Sequence, residues 1–221
     1  MLTIGSSRGR TGFQHDRLVR ALYCRRLPSL TSRLARQTPA IDRRLRAGAT
    51  VTKADGWQGQ LLCGKTLGVI GEFSSRSQLT SGGGNIGLLV AKMFFGAFCG
   101  RVILYDPYLR SLDKWHSVVP ESQLTFVDDI DRLYTESDVL TVHVPLTPST
   151  ENMIAAPQFK MMKRTAIVIN TSRGGIINET DLADALETEE IFATGLDAFV
   201  TEPPTLKAYS RLCENDRVLM L

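Results

Sequence analysis

Six short apolar runs constrain this chain more than any other feature. They are Thr66–Ile70 (TLGVI), Val102–Tyr105 (VILY), Val139–Val144 (VLTVHV), Ala166–Asn170 (AIVIN), Ile191–Leu196 and Arg217–Leu221. Each is too short for a buried helix and near-continuously apolar, so each predicts a strand. A weaker strand is expected near Leu124–Val127. Helical segments are expected between them, at Gly87–Phe98, Asp128–Tyr134, Glu179–Leu186 and Thr205–Leu212. Strands that are apolar on both faces and alternate with helices predict a parallel sheet covered on both sides, an α/β doubly wound fold.

With 221 residues, 43% of them hydrophobic, the chain can bury one large core or two small ones. That composition excludes a disordered chain, a collagen-like repeat and a coiled coil. No run approaches the roughly 18 apolar residues of a spanning helix, so no membrane partner is expected. Cys24, Cys63, Cys99 and Cys213 are scattered, with no His cluster. Neither a disulfide framework nor a metal site is expected, and a reducing, cytoplasmic setting is the default.

The net charge of +3 hides an asymmetry: residues 1–60 carry eleven Arg and one Lys against three Asp. Three readings compete for this basic front: a nucleic-acid surface, a mitochondrial transit segment, or the solvated face of a linking helix. No aromatic residues interleave with the arginines as single-strand stacking would need, so no nucleic acid is expected. One amphipathic helix is expected around Asp16–Arg26, with Leu18, Leu22 and Tyr23 on one face. The division expected is therefore a basic segment with a linking helix over 1–60 and an α/β domain over 61–221.

Gly82-Gly83-Gly84-Asn85-Ile86-Gly87 has the GxGxxG spacing and leads into the expected helix from Gly87. In that pattern one glycine turns the chain, one lets the backbone approach pyrophosphate, and one lets helix and strand pack closely. The helix N-terminus adds free N–H groups and a positive dipole end. Asp106 ends the next strand, where a carboxylate can accept from both ribose hydroxyls and repel a 2′-phosphate. That favours NAD over NADP, with Arg110 as the one feature pointing the other way. The strand ends at Gly71, however, and the fingerprint begins only after Glu72–Gly82 (EFSSRSQLTSG). Such loops normally have about 2–6 residues, so this polar insert reads as a retained intron or similar gene-model error.

With the insert set aside, the chain resembles the D-isomer-specific 2-hydroxyacid dehydrogenases, which include phosphoglycerate dehydrogenase-like enzymes. The resemblance rests on GKTLGVIG…GGNIG, YDPY, HVPLTPST, MMKRTAIVINTSRGGIINETDLADAL and GLDAFVTEPP. More loosely, RLVRALYCRRLP and LRAG resemble the helix that enters this domain. The resemblance implies a Rossmann-type NAD-binding domain whose partner, the substrate domain, is mostly absent here. It implies cofactor contacts by Gly82, Gly84, Asn85, Ile86, Gly87, Asp106, Val144, Pro145, Thr150, Thr171, Ser172 and Asp197. Of these, Asp197 matches the acid near the nicotinamide carboxamide.

Arg173 matches the arginine that holds the carboxylate and carbonyl of the substrate, a task suited to a bidentate guanidinium. Glu202 matches the acid that orients the family's general acid–base histidine. That histidine is expected just after Leu221; His15, His116 and His143 do not replace it. The expected function is hydride transfer between NAD and a small 2-hydroxy or 2-oxo acid, with little or no activity from the sequence as given. A homodimer is a further implication of the family. The alternatives are an NAD-responsive, corepressor-like scaffold and a non-functional gene product.

Overall fold

The computed structural model describes residues 26–52, 59–71, 86–109 and 111–221. Most of the Asp16–Arg26 helix, the insert, Gly82 to Asn85 of the fingerprint, and Arg110 lie outside the described residues. Seven strands are present: β1 (Thr66–Gly71), β2 (Arg101–Tyr105), β3 (Leu124–Phe126), β4 (Val139–His143), β5 (Ile167–Asn170), β6 (Ala193–Leu196) and β7 (Val218–Met220). They form one parallel sheet in the order β3-β2-β1-β4-β5-β6-β7. Val69 of β1 lies between Leu104 of β2 and Thr141 of β4. The order therefore reverses at β1, and the crevice between the C-terminal ends of β1 and β4 is the natural ligand site of such a sheet.

Each strand feeds both layers because its side chains alternate. Leu67, Val69, Val102, Leu104, Ile167 and Ile169 point to one layer. Ile70, Ile103, Leu140, Val142 and Val168 point to the other. The first layer is closed by α1 (residues 26–35), α3 (Ile86–Phe98) and the short α4 (Asp113–His116), which buries Trp115. The second is closed by α5 (Ile130–Glu136), α6 (Ala156–Met161), α7 (Glu179–Glu187) and α8 (Ser210–Glu214). Capping residues fix two of these starts. Asp129 accepts from the Asp131 N–H, and Asn178 accepts from Thr180 and Asp181.

The basic front is less polar than its composition suggests. Leu27, Leu30 and Leu34 of α1 follow helical spacing and are buried against the sheet, each contributing about 2 kcal/mol. The next helix, α2 (Thr38–Arg46), starts with Pro39 in its first turn and buries Ala40. Its Arg43 and Arg44 both pair with Asp216, at 2.8 and 3.0 Å. The expected helix at Thr205–Leu212 is displaced to Ser210–Glu214. The reason is tertiary: Tyr209 is buried, and its hydroxyl is drawn back to accept from the Thr201 N–H at 2.8 Å. At the N-terminal edge of the sheet, Asp138 accepts from the Thr66 N–H at 2.9 Å and pairs with Lys163 at 3.1 Å. This acid braces the edge opposite the crevice.

Candidate functional site

Four strand ends and one helix start converge on the C-terminal edge. At the start of α3, Gly87 is pressed onto β1, and an added Cβ would sit 3.1 Å from Val69 Cγ1 and 3.6 Å from His143 Cδ2. That is the close helix–strand packing asked of the last glycine in the fingerprint. Ile86 precedes it as the first residue of α3. Asp106, at the end of β2, is 1% exposed, and its Oδ1 accepts from the Tyr108 N–H at 2.9 Å. The carboxylate is thus held in place by its own turn.

β4 ends at His143, whose Nε2 is hydrogen-bonded to Thr141 Oγ1 at 3.1 Å. Burial pushes the His143 pKa down to about 4, so this imidazole is neutral near pH 7. The following loop is tied by Thr150, whose hydroxyl donates to the Pro145 carbonyl at 2.6 Å and accepts from the Thr147 N–H at 2.8 Å. Val144, at the start of this loop, is buried in the core.

β5 opens into the turn that carries Arg173. Asn170 organises it: Oδ1 accepts from the Ser172 N–H at 3.0 Å and Nδ2 donates to the Arg173 carbonyl at 2.8 Å. The Ser172 hydroxyl donates to the Val142 carbonyl at 2.6 Å, bracing β5 against β4. Thr171 is half-buried between these two anchored residues. The Arg173 guanidinium is exposed, and Nη1 donates to the Ser172 carbonyl at 2.7 Å. Gly174 passes so close to the next loop that an added Cβ would lie 2.0 Å from the Phe199 carbonyl carbon and oxygen. At Gly175 the backbone adopts φ +84°, which favours glycine.

β6 ends at Leu196, and Asp197 follows with its side chain 7% exposed. Both carboxylate oxygens of Asp197 accept from Arg26 Nη1 of α1. The loop beyond carries Glu202, whose Oε1 accepts from the Phe199 N–H at 3.3 Å. Arg173 and Glu202 line one cavity of about 790 Å³, together with Leu146, Glu179, Val200 and Tyr209.

The structure thus brings the two expected catalytic residues to a common cavity and sets Asp106 and Asp197 on the same sheet edge. Thr150 and Ser172 are revealed as braces of the loops that carry the site. Three residues were missed by the sequence reading. Glu179 accepts from the Val200 N–H at 2.8 Å, Tyr209 holds Thr201, and Arg26 binds Asp197. Glu179 and Tyr209 carry only local signals in the sequence, those of a helix start and an apolar face; Glu179 acts across 21 residues and Tyr209 across eight.

These residues fit a dinucleotide. Acids at the ends of β2 and β6 can accept from ribose hydroxyls and an amide, and Gly87 allows α3 close to the first strand. A family model for "D-isomer specific 2-hydroxyacid dehydrogenase, NAD binding domain" matches residues 29–221. The chain belongs to this family. Among its relatives, D-3-phosphoglycerate dehydrogenase of Methanocaldococcus jannaschii is 39% identical over 170 residues, covering 77% of this chain and 29% of that protein. Hydroxypyruvate reductase of Thermotoga maritima is 38% identical over 180 residues, covering 78% and 52%. The chain therefore spans between about a third and half of these relatives' lengths. The solved structure of D-lactate dehydrogenase with NAD+ from Lactobacillus jensenii is similar in fold, with TM-score 0.73 and 28% identity over 91% of this chain and 58% of that one. Among the described residues no helix is long and apolar enough to cross a membrane.

Proposed function

We propose that this NAD-binding domain serves the reversible reduction of a small 2-oxo acid to a D-2-hydroxy acid. The observation that carries the reading is that Arg173 and Glu202 line the same cavity at the C-terminal edge. Asp106 would hold the adenosine ribose, the start of α3 the pyrophosphate, and Asp197 the carboxamide. Bound NADH supplies the hydride. Arg173 holds the substrate carboxylate with its fork and polarises the carbonyl oxygen, which gains negative charge as it is reduced. Glu202 provides the carboxylate that orients the general acid–base and stabilises its protonated form. The Asn170 bonds to the Arg173 turn keep the guanidinium aimed, because positional error of about 1 Å can cost about 10²-fold in rate.

The test is a fluorescence titration with NADH, then with glyoxylate or hydroxypyruvate added to the complex. Saturable NADH binding is expected, with a further change on adding the 2-oxo acid. Arg173→Ala should abolish the second response and spare the first. An unaltered response in Arg173→Ala, or no saturable NADH binding, refutes the proposal.

A further inference from the structure

Arg26 of α1 pairs with Asp197 at the end of β6, and sequence reading gave it no role. α1 reaches it there because β6 has no side chain in the way. A Cβ on Gly195 would lie 3.2 Å from Leu34 Cδ1 and 3.6 Å from Leu30 Cβ. With α1 packed that closely, Arg26 engages both oxygens of Asp197, and the acid is 7% exposed while the guanidinium is 45% exposed. A dinucleotide bound at the switch point and reaching from Asp106 would bring its second half toward the ends of β4, β5 and β6. Asp197 ends that path.

The two redox forms of the cofactor differ by one positive charge on the nicotinamide ring. A poorly hydrated carboxylate alone at this end would favour the cationic form, NAD+. The guanidinium cancels that preference. We propose that the Arg26–Asp197 ion pair sets the redox preference of the site, shifting its relative affinity away from NAD+ and toward NADH compared with the carboxylate alone. The inference rests on the NAD reading above. Each Asp197 oxygen keeps a second acceptor direction, so the pair is compatible with a carboxamide N–H.

The experiment measures the ratio of NAD+ to NADH dissociation constants on the full chain, by NADH fluorescence and by NAD+ competition. Arg26→Gln should shift the ratio about tenfold toward NAD+, the size expected for one charge several ångströms away in a partly wet site. Arg26→Lys, which keeps the charge, should restore the original ratio. Asp197→Asn removes the negative charge of the pair and should shift the ratio about tenfold the other way, so the idea stays testable if Arg26→Gln does not fold. An unchanged ratio in both charge variants, or a parallel loss of both affinities, overturns the proposal. Failure of the unaltered chain to bind either form removes the NAD reading itself, and this inference with it.

Discussion

Gly174→Ala is the substitution that most sharply tests how the site is held together. A methyl at this position would lie 2.0 Å from the Phe199 carbonyl carbon and oxygen and 2.4 Å from the Val200 nitrogen. Ordinary contact is about 3.5 Å or more, so one backbone must move by roughly 1.5 Å. Neither can move cheaply. The Arg173 carbonyl is held by Asn170, while the facing loop is held through Val200 by Glu179 and through Phe199 by Glu202. Overpacking of this kind costs about 1–3 kcal/mol, and losing one of these bonds adds about 1 kcal/mol.

A destabilisation of about 3 kcal/mol is therefore expected, which lowers Tm by about 10 °C for a domain of this size. The assay is urea and thermal unfolding beside an internal control. Gly96→Ala lies on the exposed side of α3, where a Cβ meets nothing within 4 Å. It should stabilise by about 1 kcal/mol, through helix propensity alone. A Gly174→Ala protein within about 0.5 kcal/mol of the parent would refute the claim that the Arg173 turn and the Glu202 loop are locked together.

Two further outcomes follow from the geometry. Asp106→Ala should weaken NADH binding about tenfold and narrow the preference over NADPH, read by fluorescence titration; equal affinity of the parent for both cofactors would contradict it. His143 binds its proton with a pKa of about 4 in the folded chain against 6.5 when unfolded, so the unfolded state takes up more protons between those values. Stability should consequently fall by about 2 kcal/mol as pH drops from 6.5 to 4, and His143→Gln should flatten that slope in urea unfolding. An identical slope in the variant would show that other groups carry the acid sensitivity.

Much of this protein is legible in the residues because both faces of a parallel sheet are buried. Runs such as AIVIN and VLTVHV must then be apolar throughout, and β4 and β5 fall where those runs predict. The place of Asp106, directly after β2, was legible because the apolar run VILY ends at the acid. α1 and α2 were obscured by their arginines, although Leu27, Leu30 and Leu34 carried the helical spacing. The short helices α4 and α6 offered too few turns for a period to show.

What the sequence determined by itself was the order of elements and the identity of the charged residues at their ends, because these depend on neighbours within a few positions. Tertiary structure decided which of those residues meet. The 171-residue separation between Arg26 and Asp197 is closed by α1 settling against Gly195. The loop bearing Glu202 is fixed by Glu179 and Tyr209, and its approach to Arg173 depends on a missing side chain at Gly174. Such contacts are set by packing distances between distant segments, and no local pattern of residues encodes a distance.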